Sequence, residues 1–329
     1  MNIADLFATH RRSLSVGFFI LLIAFVLTFP LYGGIYRTDV LFTMLTYAIL
    51  AVSWAMFSGT TGYMSLAPAA FFGTGIYVTA LLQDYLPFPV IMVAAGVISF
   101  ALAVVLGLVT LRLKGIYFTI FSFGLVVFMG NAINYVEADV LGRHGWYFNV
   151  VNQTVLFYTI VGLTVATVLA AYFIGRSRLG LAMRSIGGNE EAAEHVGIDT
   201  TRIKILTFAI SAIFMGVAGV IVAPPLSYSN AGIAFSPVYS FIAVVAAVFG
   251  GMGHLAGPVI GAFVYGFLEE MLRVEFLIYF QLGFGIIIVL VILFLPSGIV
   301  GLVPMLRDKL GEVIAKLRKG GEGEQHANT

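Results

Sequence analysis

The chain has 329 residues, of which 60% are hydrophobic and only 10% charged, with a mean hydropathy of +1.03. A soluble domain carries about 25% charged residues, so this composition cannot cover a water-facing surface and describes an integral membrane protein. The net charge of +1 offers nothing to nucleic acid, the lack of cysteine excludes disulfides and thiol catalysis, and five histidines in no ligand spacing argue against a metal site.

Residues 1–15 form a short N-terminal segment in which Arg11-Arg12 precede an apolar run. A secretory signal shows the same pattern, but no small-residue cleavage site follows between Val26 and Pro30, so the run reads as an uncleaved anchor. Apolar runs bounded by charges and Gly/Pro breaks then predict ten spans, near 16–35, 40–58, 66–83, 89–111, 116–134, 153–175, 204–223, 238–250, 257–272 and 276–296. The expected fold is all-α: a transmembrane domain over 16–302 of about ten helices, some short or broken, and a tail over 303–329 without apolar periodicity.

With both termini cytoplasmic, ten spans put fourteen of the 17 basic residues inside and leave only Arg37, Arg143 and Arg273 outside. This positive-inside bias supports the count, because one missed span would move later basic clusters across the membrane. The short spans point to breaks, since 12 to 16 helical residues reach only about 18–24 Å across a core of about 30 Å. Gly59-Thr60-Thr61-Gly62 precedes the third span and Gly250-Gly251-Met252-Gly253 joins the eighth to the ninth. Non-helical backbone at such depth is tolerated where it is buried in protein or lines a watery cavity.

The sequence has no phosphate-binding loop, no His-Glu-x-x-His and no Gly-x-Ser-x-Gly, so it reads as a non-catalytic subunit whose ATP, if any, is hydrolysed by a partner. Ionisable groups within the spans are almost nil. Glu269 and Glu270 come nearest and read as interfacial groups beside Arg273. Ion-coupled carriers keep such groups at mid-membrane, which counts against a secondary carrier.

The one long cytoplasmic connection, 176–203, carries the clearest local signal. Asn189 is a good N-cap, Glu190 and Glu191 suit the first helical turn, Ala192 and Ala193 permit close approach, and Gly197 is a good stop. A helix of about two turns is not stable alone in water, so it must dock, either on its own chain or on a partner. Gly253, Gly257 and Gly261, four apart, mark a helix-packing edge. Ser58, Thr60, Ser65, Thr74, Ser122, Asn131 and Ser211 are polar groups available to a solute path, of which Ser65, Thr74 and Ser122 are the substrate-path candidates.

Glu191-Ala192-Ala193, three residues, then Gly197 resembles the E-A-A-x-x-x-G loop of bacterial ABC importer permeases. With Ser177 to Ile186, Arg112-Leu113-Lys114-Gly115-Ile116-Tyr117-Phe118, Gly250 to Pro258 and Phe294-Leu295-Pro296-Ser297-Gly298, the chain resembles the M-type permeases of branched-chain amino acid importers over about residues 40–302. It departs from that pattern at Tyr63-Met64-Ser65-Leu66-Ala67-Pro68, which lacks two glutamines and a glycine, and at Leu141-Gly142-Arg143-His144-Gly145.

The resemblance implies a type II-like importer permease bundle in the bacterial inner membrane, without cofactor. It implies a second, related permease, two cytoplasmic ATP-binding subunits and a periplasmic substrate-binding protein as partners. Asn189, Glu190, Glu191, Ala192, Ala193 and Gly197 would form the coupling helix that meets the ATPase. The implied solute is a branched-chain amino acid, with urea, a short amide or an aromatic acid as alternatives and a partner-independent carrier or channel as the rival class.

Overall fold

The computed structural model describes residues 28–30, 32–275, 285, 298 and 299. Residues 1–15, most of the expected first span, nearly all of the tenth and the tail from 303 lie outside the described residues. Only a helix satisfies its own backbone in lipid, and the apolar runs form helices accordingly. They are α1 (Gly34–Trp54), extended by a π-helical turn over Ala55–Gly59, α2 (Pro68–Leu82), α3 (Phe88–Thr110), and α4 (Ile116–Tyr135), extended by a second π turn over Val136–Val140. There follow α5 (Gln153–Arg176), α6 (Arg178–Gly188), α7 (Glu190–His195), α8 (Thr200–Leu226), α9 (Ala231–Ala234), α10 (Val238–Gly250) and α11 (Ala256–Glu275). Two short strands, β1 (Trp146–Tyr147) and β2 (Tyr228–Ser229), pair antiparallel with Trp146 opposite Ser229.

The expected second to ninth spans each fall on a helix, but only six segments among the described residues are long and apolar enough to cross a membrane. They are Gly34–Gly59, Phe88–Thr110, Ile116–Val140, Gln153–Arg176, Thr200–Leu226 and Ala231–Gly250. The expected short span at 238–250 is α10, 13 residues long; the separate turn α9, started by Asn230 Oδ1 accepting the Ile233 N–H at 3.0 Å, precedes it, and the two together give 20 apolar residues over Ala231–Gly250. α2 has 15 residues and stays short. α11 carries Glu269, Glu270, Arg273 and Glu275 near its C-terminal end, which lowers its apolarity.

α8 is the centre of the bundle and packs on α1, α2 and α3. Glycine lets the backbones meet: a Cβ on Gly75 would lie 1.9 Å from the Gly216 carbonyl oxygen, and one on Gly219 2.1 Å from that of Phe72. α10 meets α11 in the same way, through Gly257 and Gly261, whose added Cβ atoms would lie 1.9 Å from the Gly251 oxygen and 2.0 Å from the Ala246 oxygen. Gly253 takes no part in that edge, because it sits in the preceding turn with nothing within 4 Å of a Cβ.

Between the first π turn and α2, residues 62–67 are not helical. Their backbone groups are taken up by side chains. Trp54 Nε1 donates to the Ser65 oxygen at 2.7 Å and Thr119 Oγ1 to that of Met64 at 2.8 Å. Ser122 Oγ accepts the Leu66 N–H at 2.9 Å, while Ser240 Oγ donates to the Leu66 oxygen at 2.9 Å and accepts the Ala69 N–H at 3.0 Å. At the opposite end, the strand pair is tied to the α2–α3 turn by Gln83, which donates to the Tyr147 oxygen and accepts the Asn149 N–H.

Gly219→Leu should therefore force α2 from α8 and lower the midpoint of thermal unfolding in detergent, at a cost of about 3 kcal/mol or more. Gly253→Leu, into open space, should leave that midpoint within error; equal losses in both variants would contradict this packing.

Candidate functional site

α7 is short, and its ends are built accordingly. Asn189 Oδ1 accepts the Ala192 N–H at 3.0 Å, with Glu190 and Glu191 in the first turn where the helix dipole favours negative charge. At the other end Ile198 N–H reaches the Ala193 oxygen and Gly197 N–H the Glu194 oxygen. That is a Schellman closure, and Gly197 supplies its left-handed residue at φ +87°. Asp199 Oδ1 then accepts the Arg202 N–H at 3.0 Å and starts α8, so the two helices are joined by the four residues 196–199.

One end of the bundle holds α7 in place. Lys204, on the first turns of α8 and only 3% exposed, places Nζ 2.6 Å from Glu190 Oε1. The same ammonium donates to the Tyr63 hydroxyl at 3.2 Å and to the Leu111 carbonyl at 3.4 Å, and lies 4.5 Å from the centre of the Tyr63 ring. Tyr63 in turn donates its hydroxyl to Glu190 Oε2 at 2.5 Å. One carboxylate of α7 is thus joined to α8, to the segment leading into α2 and to the end of α3. The fit continues into α6, where a Cβ on Gly187 would stand 2.4 Å from the Thr60 carbonyl oxygen.

Desolvation alone would raise the Glu190 carboxyl, but hydrogen bonds from Lys204 and Tyr63 and the charge of Lys204 outweigh it and hold the group below its ordinary value. Burial, then the bond to Glu190, push the Tyr63 phenol upward. The cluster therefore sets a carboxylate and a neutral phenol around the Lys204 nitrogen, with donors and acceptors matched. Such a pair is weak evidence of net stability, yet breaking it from one side leaves a buried charge and costs about 3–5 kcal/mol.

Only one face of α7 is taken up this way. Ala193 is buried, while Glu191, Ala192, His195 and Val196 are exposed, Val196 at 77%. Glu194 accepts from the Thr200 hydroxyl at 2.7 Å, which bends α7 back onto the start of α8. The sequence reading expected a single helix in the 176–203 connection. The structure adds α6, eleven residues long, with Gly180, Met183 and Ile186 buried at helical spacing and Ser177 as its cap.

The three substrate-path candidates are all buried with their hydroxyls engaged. Ser65 Oγ accepts the Ala67 N–H at 3.2 Å, Ser122 Oγ holds the Leu66 N–H, and Thr74 Oγ1 donates to the Ala70 oxygen of its own helix at 2.7 Å. Ser58, Ser65 and Ser211 surround a cavity of about 10 Å³, room for one water. In this conformation Ser58, Ser65 and Ser122 brace the break before α2, while Thr74 and Ser211 bond carbonyls of their own helices.

Glu269 does lie beside Arg273, with which it pairs, while Glu270 accepts from the Tyr36 hydroxyl, and both are half-buried. Glu137, which the sequence reading passed over, is 2% exposed in the second π turn, with the Tyr77 hydroxyl as its neighbour. Tyr63 and Lys204 were missed as functional partners too, Tyr63 noted only as a departure from the family pattern and Lys204 only as a topological charge. Their pairing spans 141 residues, and no local signal announces it.

Lys204→Ala and Glu190→Ala should each destabilise the protein by about 3 kcal/mol, and the double variant by clearly less than the sum, in unfolding measured in detergent. Because the Glu190 carboxyl is held low, its contribution should be complete at neutral and mildly acidic pH and fade only as pH falls through that lowered value. Additive losses would show that the pair is not coupled.

The family described as "Branched-chain amino acid transport system / permease component" matches residues 36–296. The chain is 28% identical to the high-affinity branched-chain amino acid transport system permease protein LivM of Salmonella typhimurium, over 94% of this chain and 78% of that protein. It is 28% identical to BraD of Pseudomonas aeruginosa, over 78% of this chain and 92% of the relative, and 27% identical to LivH of Escherichia coli, over 78% and 91%. No solved structure matches it. With the match covering most of its length, the chain belongs to the family of branched-chain amino acid transport system permeases.

Proposed function

We propose that the chain is a membrane-spanning permease subunit of an ATP-driven ABC importer of branched-chain amino acids, and that α7 is the helix through which the ATPase drives it. In this reading the end bearing α6 and α7 faces the cytoplasm, both termini lie there, and the solute crosses beside a second, related permease after delivery by a periplasmic binding protein. Two cytoplasmic ATP-binding subunits supply the energy.

The observation that carries the proposal is the two-faced character of α7. Its inner face is fixed by Glu190 to Lys204 and Tyr63, while its outer face presents Glu191, Ala192, His195 and Val196. A partner can shift a conformational equilibrium only by contacting the two states differently. Contacts on the outer face are passed to α8, α2 and α3 through a buried pair that does not stretch, rather than absorbed by a loose loop. The relatives named for branched-chain amino acid transport support the solute class.

The proposal is tested by ATP hydrolysis in proteoliposomes holding this chain, its partner permease and ATPases, with a leucine-loaded binding protein. Glu191→Arg on the outer face should reduce leucine-stimulated hydrolysis at least about tenfold, equivalent to ~1.4 kcal/mol of coupling, while the complex stays assembled. Stimulation by another loaded binding protein but not by leucine would refute the solute class. Full stimulation in the variant would refute the docking role of α7, and uptake without any ATPase would refute the importer reading.

A further inference from the structure

A cleft of about 260 Å³ opens at the end of the bundle that carries α6 and α7, between the end of α1, the end of α5, α6 and the turn before α11. Its rim carries the guanidinium groups of Arg176 and Arg184 and the imidazole of His254. No ion pair among the described residues includes either arginine. Arg176 is stacked 4.3 Å from the centre of the Tyr172 ring, and Arg184 spends one N–H group on the Gly175 carbonyl at 2.8 Å, so both keep donors for a further acceptor.

The floor of the cleft is apolar. Met56, Met183 and Met252 line it, and unbranched thioether side chains adapt to flexible chains. Val52 and Ala171 carry the wall away from the rim, along α1 and α5. The α5 residues of that wall belong to a helix whose apolar length would cross the membrane. A soluble anion has no use for such a floor, whereas a lipid has both a headgroup for the rim and a chain for the floor.

We propose that this cleft binds an acidic phospholipid, with its phosphate oxygens on Arg176, Arg184 and His254 and the start of an acyl chain against the methionines. Basic pockets between membrane helices on the cytoplasmic side suit such headgroups. The site rests on the orientation proposed above and adds a regulatory role to it. Thr60 and Met183 both line the cleft and touch one another, Thr60 Oγ1 to Met183 Sδ at 3.5 Å, and the Thr60 carbonyl abuts Gly187. A lipid seated there contacts α6 and the end of α1 together, and so braces the elbow from which α7 hangs.

The test is binding of fluorescent phosphatidylglycerol to the full-length chain with its partner subunits, held in phosphatidylcholine nanodiscs, with neither ATP nor binding protein present. Arg176→Gln with Arg184→Gln should weaken binding at least about tenfold, and the paired lysine replacements should restore most of it. Arg112→Gln with Lys114→Gln removes the same charge elsewhere and should leave binding as in the wild type. Equal loss in both charge-neutralised pairs would show diffuse attraction and overturn the site, as would no loss in either. Full competition by inorganic phosphate or glycerol phosphate would assign the rim to a soluble anion and overturn the lipid. The readout needs no transport, so failure of the importer reading would appear separately, in the ATPase assay.

Discussion

A backbone that leaves the helix inside a membrane protein must find partners for every N–H and C=O it exposes, and that constraint shapes one end of this molecule. Residues 62–67 break the path between the first π turn and α2, and five side chains from three helices bond to their backbone: Trp54 and Ser58 from α1 and its turn, Thr119 and Ser122 from α4, and Ser240 from α10. Three helices, α1, α4 and α10, are thereby fixed around one irregular segment. Tyr63 belongs to that segment, which is why a contact made by Tyr63 is felt by α2 and α4 as well as by its immediate neighbours.

The Glu190 carboxylate is the point where the surface helix meets this braced region. Lys204 and Tyr63 approach it from α8 and from the break, and the Leu111 carbonyl takes a further bond from the ammonium at the end of α3. The same stretch in which the chain departs from the family pattern, Tyr63 to Pro68, thus supplies a phenol to the cluster around Glu190. Above it, Phe208 of α8 packs against the rings of Phe57, Phe71 and Phe118 at 5.1, 5.2 and 6.3 Å, so the polar cluster sits beneath an aromatic one. A push on α7 therefore reaches a dense core rather than a void.

Local chemistry was legible in the sequence and tertiary pairing was not. Asn189, the two glutamates and Gly197 define α7 from the sequence alone, because caps and dipole charges act within a turn or two of their own residue. α6 stayed hidden behind three glycines and a polar flank, although Gly180, Met183 and Ile186 keep helical spacing. The π turns left no trace in the apolar pattern. Ser65 and Ser122 were found as polar groups near a break, yet whether a hydroxyl faces a solute or a stray backbone group is decided by chains folded from elsewhere. The same holds for Lys204, whose charge reads as topology until Glu190 and Tyr63 are brought to it, and for Glu137, whose burial depends on its neighbours in space.

The central claim is that α7 and the head of α8 move as one body when the ATPases act. Since the chain has no native cysteine, spin labels can be placed in pairs at the exposed positions Val196, the C-cap of α7, and Leu206 on α8, and their separation read by pulsed electron resonance with and without trapped ATP. The account predicts that this distance stays constant to within about 1 Å, while the distance from Val196 to the exposed Phe173 on α5 changes by a helix shift of about 1–2 Å or more. A change between Val196 and Leu206 on adding ATP, with Val196 to Phe173 constant, would contradict it.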